Sequence, residues 1–118
     1  MHAHSDRLYR LAGACLFTHE MEALLLFAPG APFGGVSGLQ QIVLLTHAPV
    51  IIGLIAIAEL TGRPLFRYGV CVFAVMQVAL HWGMRDFDAY SVKSAASWVL
   101  VLLAGIFGAA YLVPAKAR

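Results

Sequence analysis

Charge is what this chain has least of. Asp, Glu, Lys and Arg make up 12% of its 118 residues and hydrophobic residues 61%, a balance that excludes an ordinary soluble domain. Cysteine is scarce as well: Cys15 and Cys71 are the only two, each inside an apolar run. That excludes a secretory disulfide framework and leaves both as small buried hydrophobes. Polar sequence long enough for a separate soluble module is lacking. Cleavage at "LAGAC" (Leu11 to Cys15) is not expected, because few apolar residues precede it and the hydrophobic run continues past it. The net charge of +2 makes no case for a nucleic-acid partner, since the cations are distributed as membrane flanks.

What is present is a set of four apolar runs: Leu8 to Ala28, Leu39 to Leu60, Leu65 to Gly83 and Val92 to Val113. Each approaches or exceeds the roughly 20 residues that a spanning helix needs. The expectation is an all-α fold, a four-helix transmembrane bundle of up-down-up-down topology, forming one integral membrane domain over residues 1–118. The connections carry turn chemistry. "PGAPFGGVSG" (Pro29 to Gly38) is uncharged and rich in glycine and proline. In "TGRP" (Thr61 to Pro64), Gly62 suits a helix C-cap and Pro64 the first turn of the next helix. "MRDFDAYS" leads into the fourth run with Ser91 as an N-cap.

Cation placement sets the orientation. Arg7, Arg10, Arg63, Arg67, Lys116 and Arg118 lie on one side, against Arg85 and Lys93 on the other, so the positive-inside rule puts both termini in the cytoplasm. Trp82, Phe87 and Tyr90 near the outer boundary, and Tyr9 and Phe66 near the inner one, read as interfacial aromatics. Ala95, Ala96, Ala104, Gly105, Gly108 and Ala109 form a small-residue face on the fourth run, suited to close helix packing.

Against this background the stretch "FTHEMEALLLF" (Phe17 to Phe27) places three ionisable groups, His19, Glu20 and Glu22, where lipid is expected. At about 1.5 Å of rise per residue, His19 and His47 lie roughly 14 Å below the outer end of their spans, Gln77 roughly 10 Å, Glu22 roughly 9 Å and His81 roughly 5 Å. Ser94 and Ser97 fall in the same layer. His19 and Glu22 share a face, as do Gln77 and His81. Pro49, two residues after His47, cannot donate to the Leu45 carbonyl, which predicts a bend there. Glu20 lies about 100° around the helix from His19. It is left to be protonated, to meet another helix or to meet a second subunit, so a homo-oligomer or other membrane partner stays open.

An ionised side chain at mid-bilayer costs from about 2.5 kcal/mol upward, so these groups must satisfy one another. One reading is a metal site of His19, Glu22, His47 and His81 for zinc, iron or manganese, supporting catalysis on a small lipophilic substrate. Gln77, Ser94 and Ser97 would then fix imidazole tautomers. A zincin motif is excluded, because H-E-x-x-H needs a histidine where Ala23 stands. A second reading is metal-free proton handling, in which His19 and Glu22 exchange protons with His47 or His81, as in a lipid isomerase or a proton-coupled transporter. Haem between His19 and His47 leaves Glu22 and His81 unexplained. The plainest reading is hydrogen-bonded glue between helices, a structural or accessory role.

With "THEMEA" at Thr18 to Ala23, "THAP" at Thr46 to Pro49 and "ALHW" at Ala79 to Trp82, the sequence resembles small bacterial four-helix membrane proteins whose first span carries H-E-[LM]-[DE]-A. It is more distantly similar to the HXXEE-type membrane domain. The H-x-x-E half of that pattern maps onto His19 and Glu22, and Ala23 replaces the following acid. The resemblance implies an intramembrane His/Glu site and a bacterial inner-membrane location, and no particular reaction. A remoter likeness, by analogy alone, is to four-helix sterol isomerases that move a proton with intramembrane His and Glu.

Overall fold

The computed structural model describes residues 2–27, 38–85 and 95–113. These residues form four α-helices and no strand: α1 (His2–Phe27), α2 (Gly38–Thr61), α3 (Pro64–Met84) and α4 (Ala95–Leu112). The connection at 28–37, the Ser91 cap, Ser94, Phe87 and Tyr90, and the charges of Asp86, Asp88, Lys93, Lys116 and Arg118 lie outside the described residues.

The turn between α2 and α3 follows from its residues. Gly62 adopts φ 62°, a left-handed conformation that glycine enters without penalty. Its N–H closes the last turn on the Ala58 carbonyl at 3.1 Å. Arg63 is extended and Pro64 opens α3, where a missing N–H costs nothing. Pro49 sits inside α2, which continues from Gly38 to Thr61.

Helices α1 and α3 each pack against all three others, whereas α2 and α4 do not meet among the described residues. The cross-section is therefore a rhombus with α1 and α3 on its short diagonal. Facing three neighbours, α1 buries a broad arc: Tyr9, Ala12, Leu16, His19, Glu20 and Ala23, at the 3-4 spacing of one helical face. Tyr9, expected among the interfacial aromatics, is instead in this arc and buried. Its ring lies 6.2 Å from that of Tyr111 and 5.1 Å from the Arg67 guanidinium. Arg67 also donates to Asp6 at 2.7 Å, tying the starts of α1 and α3. Trp82 is 61% exposed and has the Arg85 guanidinium 4.0 Å from its ring, as an interfacial tryptophan would.

Only part of the small-residue face packs. Ala104, Gly105 and Gly108 are buried, while Ala95, Ala96 and Ala109 are exposed. A Cβ added at Gly108 would stand 2.8 Å from the Cys71 carbonyl oxygen, so α4 approaches α3 at backbone distance there. Gly108→Ala is expected to destabilise the protein by about 1–3 kcal/mol through overpacking. Gly53→Ala, whose Cβ would meet nothing within 4 Å, should stay within about 0.5 kcal/mol of wild type. Unfolding of both variants in detergent by SDS titration checks the pair.

Two of the described helices, Pro64–Gly83 and Ala95–Leu112, are long and apolar enough to cross a membrane, and only 28% of each window is buried inside the chain. Thr46–Thr61 forms a shorter apolar stretch. The outward faces carry Leu11, Phe17, Val50, Ile57, Met76, Leu80, Leu102 and Ile106, all more than a third exposed. The interior combines an apolar core with a fully buried carboxylate, Glu20, which is rare in a water-soluble fold.

Candidate functional site: a buried histidine and carboxylate centre

The rhombus brings one polar group after another to its short diagonal. From α1 come His19, Glu20 and Glu22, from α3 Gln77 and His81, from α2 His47, and from α4 Ser97 and Trp98. His19 is 2% exposed, Glu20 0%, Gln77 4%, His81 7% and Ser97 2%. A polar group so deeply placed must find partners, and nearly every one does.

Gln77 is the hinge of the network. Its amide nitrogen donates to Glu20 Oε1 at 3.3 Å and lies 3.0 Å from His81 Nε2. With both amide hydrogens so used, His81 Nε2 is the acceptor and its proton sits on Nδ1. His19 Nε2, 3.2 Å from the same His81 nitrogen, is then the donor. The unprotonated nitrogen of His19 is therefore Nδ1, which has no hydrogen-bond partner and stands 4.0 Å from Glu22 Oε2. Both atoms are acceptors, so a water donating to each would bridge them. Ser97 holds Glu22 in place by donating to Oε2 at 2.6 Å.

On the other side of Gln77, Glu20 Oε2 lies 3.0 Å from His47 Nε2. The rings of His19 and His81 meet edge to face at 4.8 Å. Trp98 abuts His81 at 6.2 Å and Trp82 at 6.4 Å, forming an aromatic wall.

The middle of the network is closed and its two ends are open: the Glu22 side chain is 24% exposed and that of His47 32%, against 0% for Glu20. The ends are held by different helices, Glu22 by α1 and His47 by α2. A family described as of unknown function (DUF6713) matches residues 5–117. The chain belongs to that family. The matched stretch contains every residue of the centre, which is therefore part of the family's own domain. No curated protein and no solved structure matches the chain.

Of the residues singled out from sequence, His19, Glu22, Gln77, His81 and Ser97 are brought into one connected set, and His47 joins it through Glu20. As placed, no three His, Cys, Asp or Glu side chains among the described residues are grouped to hold a metal ion together. Glu22 leans toward α4, away from His47. The residue that sequence reasoning left without a partner, Glu20, meets another helix twice over and is the pivot between α2 and α3. Its signal was the spacing itself, four residues after buried Leu16 and three before buried Ala23. Cys15 and Cys71 are free thiols of the apolar half, with Cys71 buried and Cys15 half-buried.

Proposed function

We propose that this chain is an integral membrane protein whose four helices all span, with an acid–base centre that moves a proton on a membrane-soluble substrate. Helices of 26, 24, 21 and 18 residues measure roughly 27–39 Å at 1.5 Å per residue, against a hydrocarbon layer of about 30 Å. Their exposed apolar side chains and buried His/Glu centre support lipid on the outside. Up-down-up-down topology is supported by contact order. Asp6 with Arg67 and Tyr9 with Tyr111 meet at one end, and His19 with His81 and Glu22 with Ser97 toward the other. The cation bias then puts both termini in the cytoplasm, and the sequence resemblance favours a bacterial inner membrane.

The observation that carries the functional reading is the pair of open ends joined through a closed middle. Imidazoles pass protons between their two nitrogens, whereas an amide such as Gln77 does not do so readily. Gln77 therefore separates two acid–base units, Glu22 with His19 and His81 on one side and Glu20 with His47 on the other. With one substrate molecule reaching both openings, a base at one removes a proton from carbon while an acid at the other returns one, shifting a double bond with no net change in protons or electrons. Membranes containing the overexpressed protein, incubated in deuterium oxide, should yield a lipophilic compound that gains a single deuterium, absent from control membranes. No such protein-dependent incorporation in any extractable lipophile would end this reading.

A second reading, divalent metal binding, is favoured by one distance. Two ligand nitrogens on a tetrahedral ion with bonds of about 2.0–2.1 Å stand about 3.3 Å apart, and His19 Nε2 and His81 Nε2 are separated by 3.2 Å. Elemental analysis of the detergent-purified protein decides between the readings. One equivalent of zinc, iron or manganese, lost in His81→Ala, supports the metal, and none in wild type removes it.

A further inference from the structure

On the opposite side of the apolar core from the His/Glu centre, α1 and α2 leave between them a cleft of about 350 Å³. Its lining changes along its length. Arg10 and Glu59 stand at the end near the α2–α3 turn, and Gly13, Ala14, Phe17 and Ile55 continue it toward the centre. Tyr9 lines it too, 1% exposed, with its buried hydroxyl directed at the Glu59 carboxylate. A cleft of that size suits a small ligand or part of a larger one, and one cation beside an anion braced by a tyrosine hydroxyl specifies its polar end.

We propose that this cleft binds a glycerophospholipid carrying a phosphate and a primary ammonium group, with the start of one acyl chain lying along α1. Arg10 donates to a phosphate oxygen, and Glu59, which also accepts from the Tyr9 hydroxyl, accepts from the ammonium, both as charge-assisted hydrogen bonds. From Arg10 to Phe17 the helix rises roughly 10 Å, long enough for the first several methylenes. The apolar wall there is smooth because Gly13 has no side chain, and a Cβ at that position would meet nothing within 4 Å. The inference rests on the membrane reading of the four helices and is independent of the acid–base chemistry.

The test uses the full chain in detergent, titrated with phosphatidylethanolamine, phosphatidylcholine and phosphatidylglycerol and followed by native mass spectrometry. Wild type should bind phosphatidylethanolamine roughly tenfold more tightly than the other two. Glu59→Gln should remove the preference over phosphatidylglycerol, and Arg10→Gln should weaken all three. Gly13→Leu fills open space, so it should abolish retention while leaving the thermal midpoint in detergent unchanged or higher. Equal affinity for the three lipids, or unchanged retention in Gly13→Leu, would overturn the proposal while leaving the membrane reading standing. A chain that stays monomeric and folded without detergent would overturn both.

Discussion

Glu20→Ala is expected to destabilise the protein by about 2–4 kcal/mol, and Glu20→Gln by about 1 kcal/mol or less. A single interhelical hydrogen bond inside a membrane is worth only about 0.6 kcal/mol on average, because the unfolded chain in lipid also finds partners. The alanine variant loses more than a bond. It strips the acceptor from Gln77 and leaves a buried N–H unsatisfied, at about 1–3 kcal/mol, and it opens a cavity where a fully enclosed side chain stood. Glutamine keeps the volume and still offers Gln77 an oxygen. Unfolding of both variants in mixed micelles by SDS titration measures the difference. Equal losses would mean that Glu20 is held by packing alone, and the network would then have no pivot.

The larger effect on activity is expected at the two open ends. Glu22→Gln and His47→Ala should each slow deuterium incorporation into the lipophilic product by about 10²–10⁴-fold, the usual contribution of one general acid or base. Both side chains are partly exposed, at 24% and 32%, so folding should suffer far less than in Glu20→Ala. Glu22→Gln retains an acceptor for the Ser97 hydroxyl, which makes it the cleaner variant. The two losses should also not multiply in the double variant, since removing either the acid or the base stops the same proton shift. Multiplicative losses would place Glu22 and His47 in separate processes.

Much of the architecture is legible from local chemistry. Gly62 and Pro64 mark the α2–α3 turn because left-handed backbone and a missing N–H have few other uses side by side. The layer holding His19, Gln77 and His81 follows from counting helix rise, since rise per residue hardly varies. Helix rotation is harder to read. Tyr9 was misjudged and the partner of Glu20 was left open among three alternatives, of which contact with another helix is the one found, because the face that α1 buries is set by its neighbours on three sides. Nothing local to α1 announces those three contacts. Trp98 was equally silent, because its role depends on how α4 is turned against His81 and Trp82. The small face of α4 was half legible, with Gly105 and Gly108 against α3 and the flanking alanines turned away.

Exposed apolar faces around a buried polar centre tie these points together. In water the apolar core would dominate folding, and the buried carboxylates and imidazoles would oppose it. In lipid the exterior contributes little between helices, and small-residue contact together with polar pairing must specify the rotation of each one. The same network therefore sets the helix rotations and, in the proposed function, supplies the acid–base groups.

The central claim is that His19 and His81 share a single proton between their Nε2 atoms, with Gln77 fixing which ring gives and which accepts. Nitrogen-15 resonance of the histidine-labelled full chain in lipid bilayers tests it directly. The account predicts a through-hydrogen-bond coupling between the two Nε2 nuclei, a protonated Nδ1 on His81 and an unprotonated Nδ1 on His19. Two uncoupled Nε2 nuclei, or an unprotonated Nδ1 on His81, would contradict it.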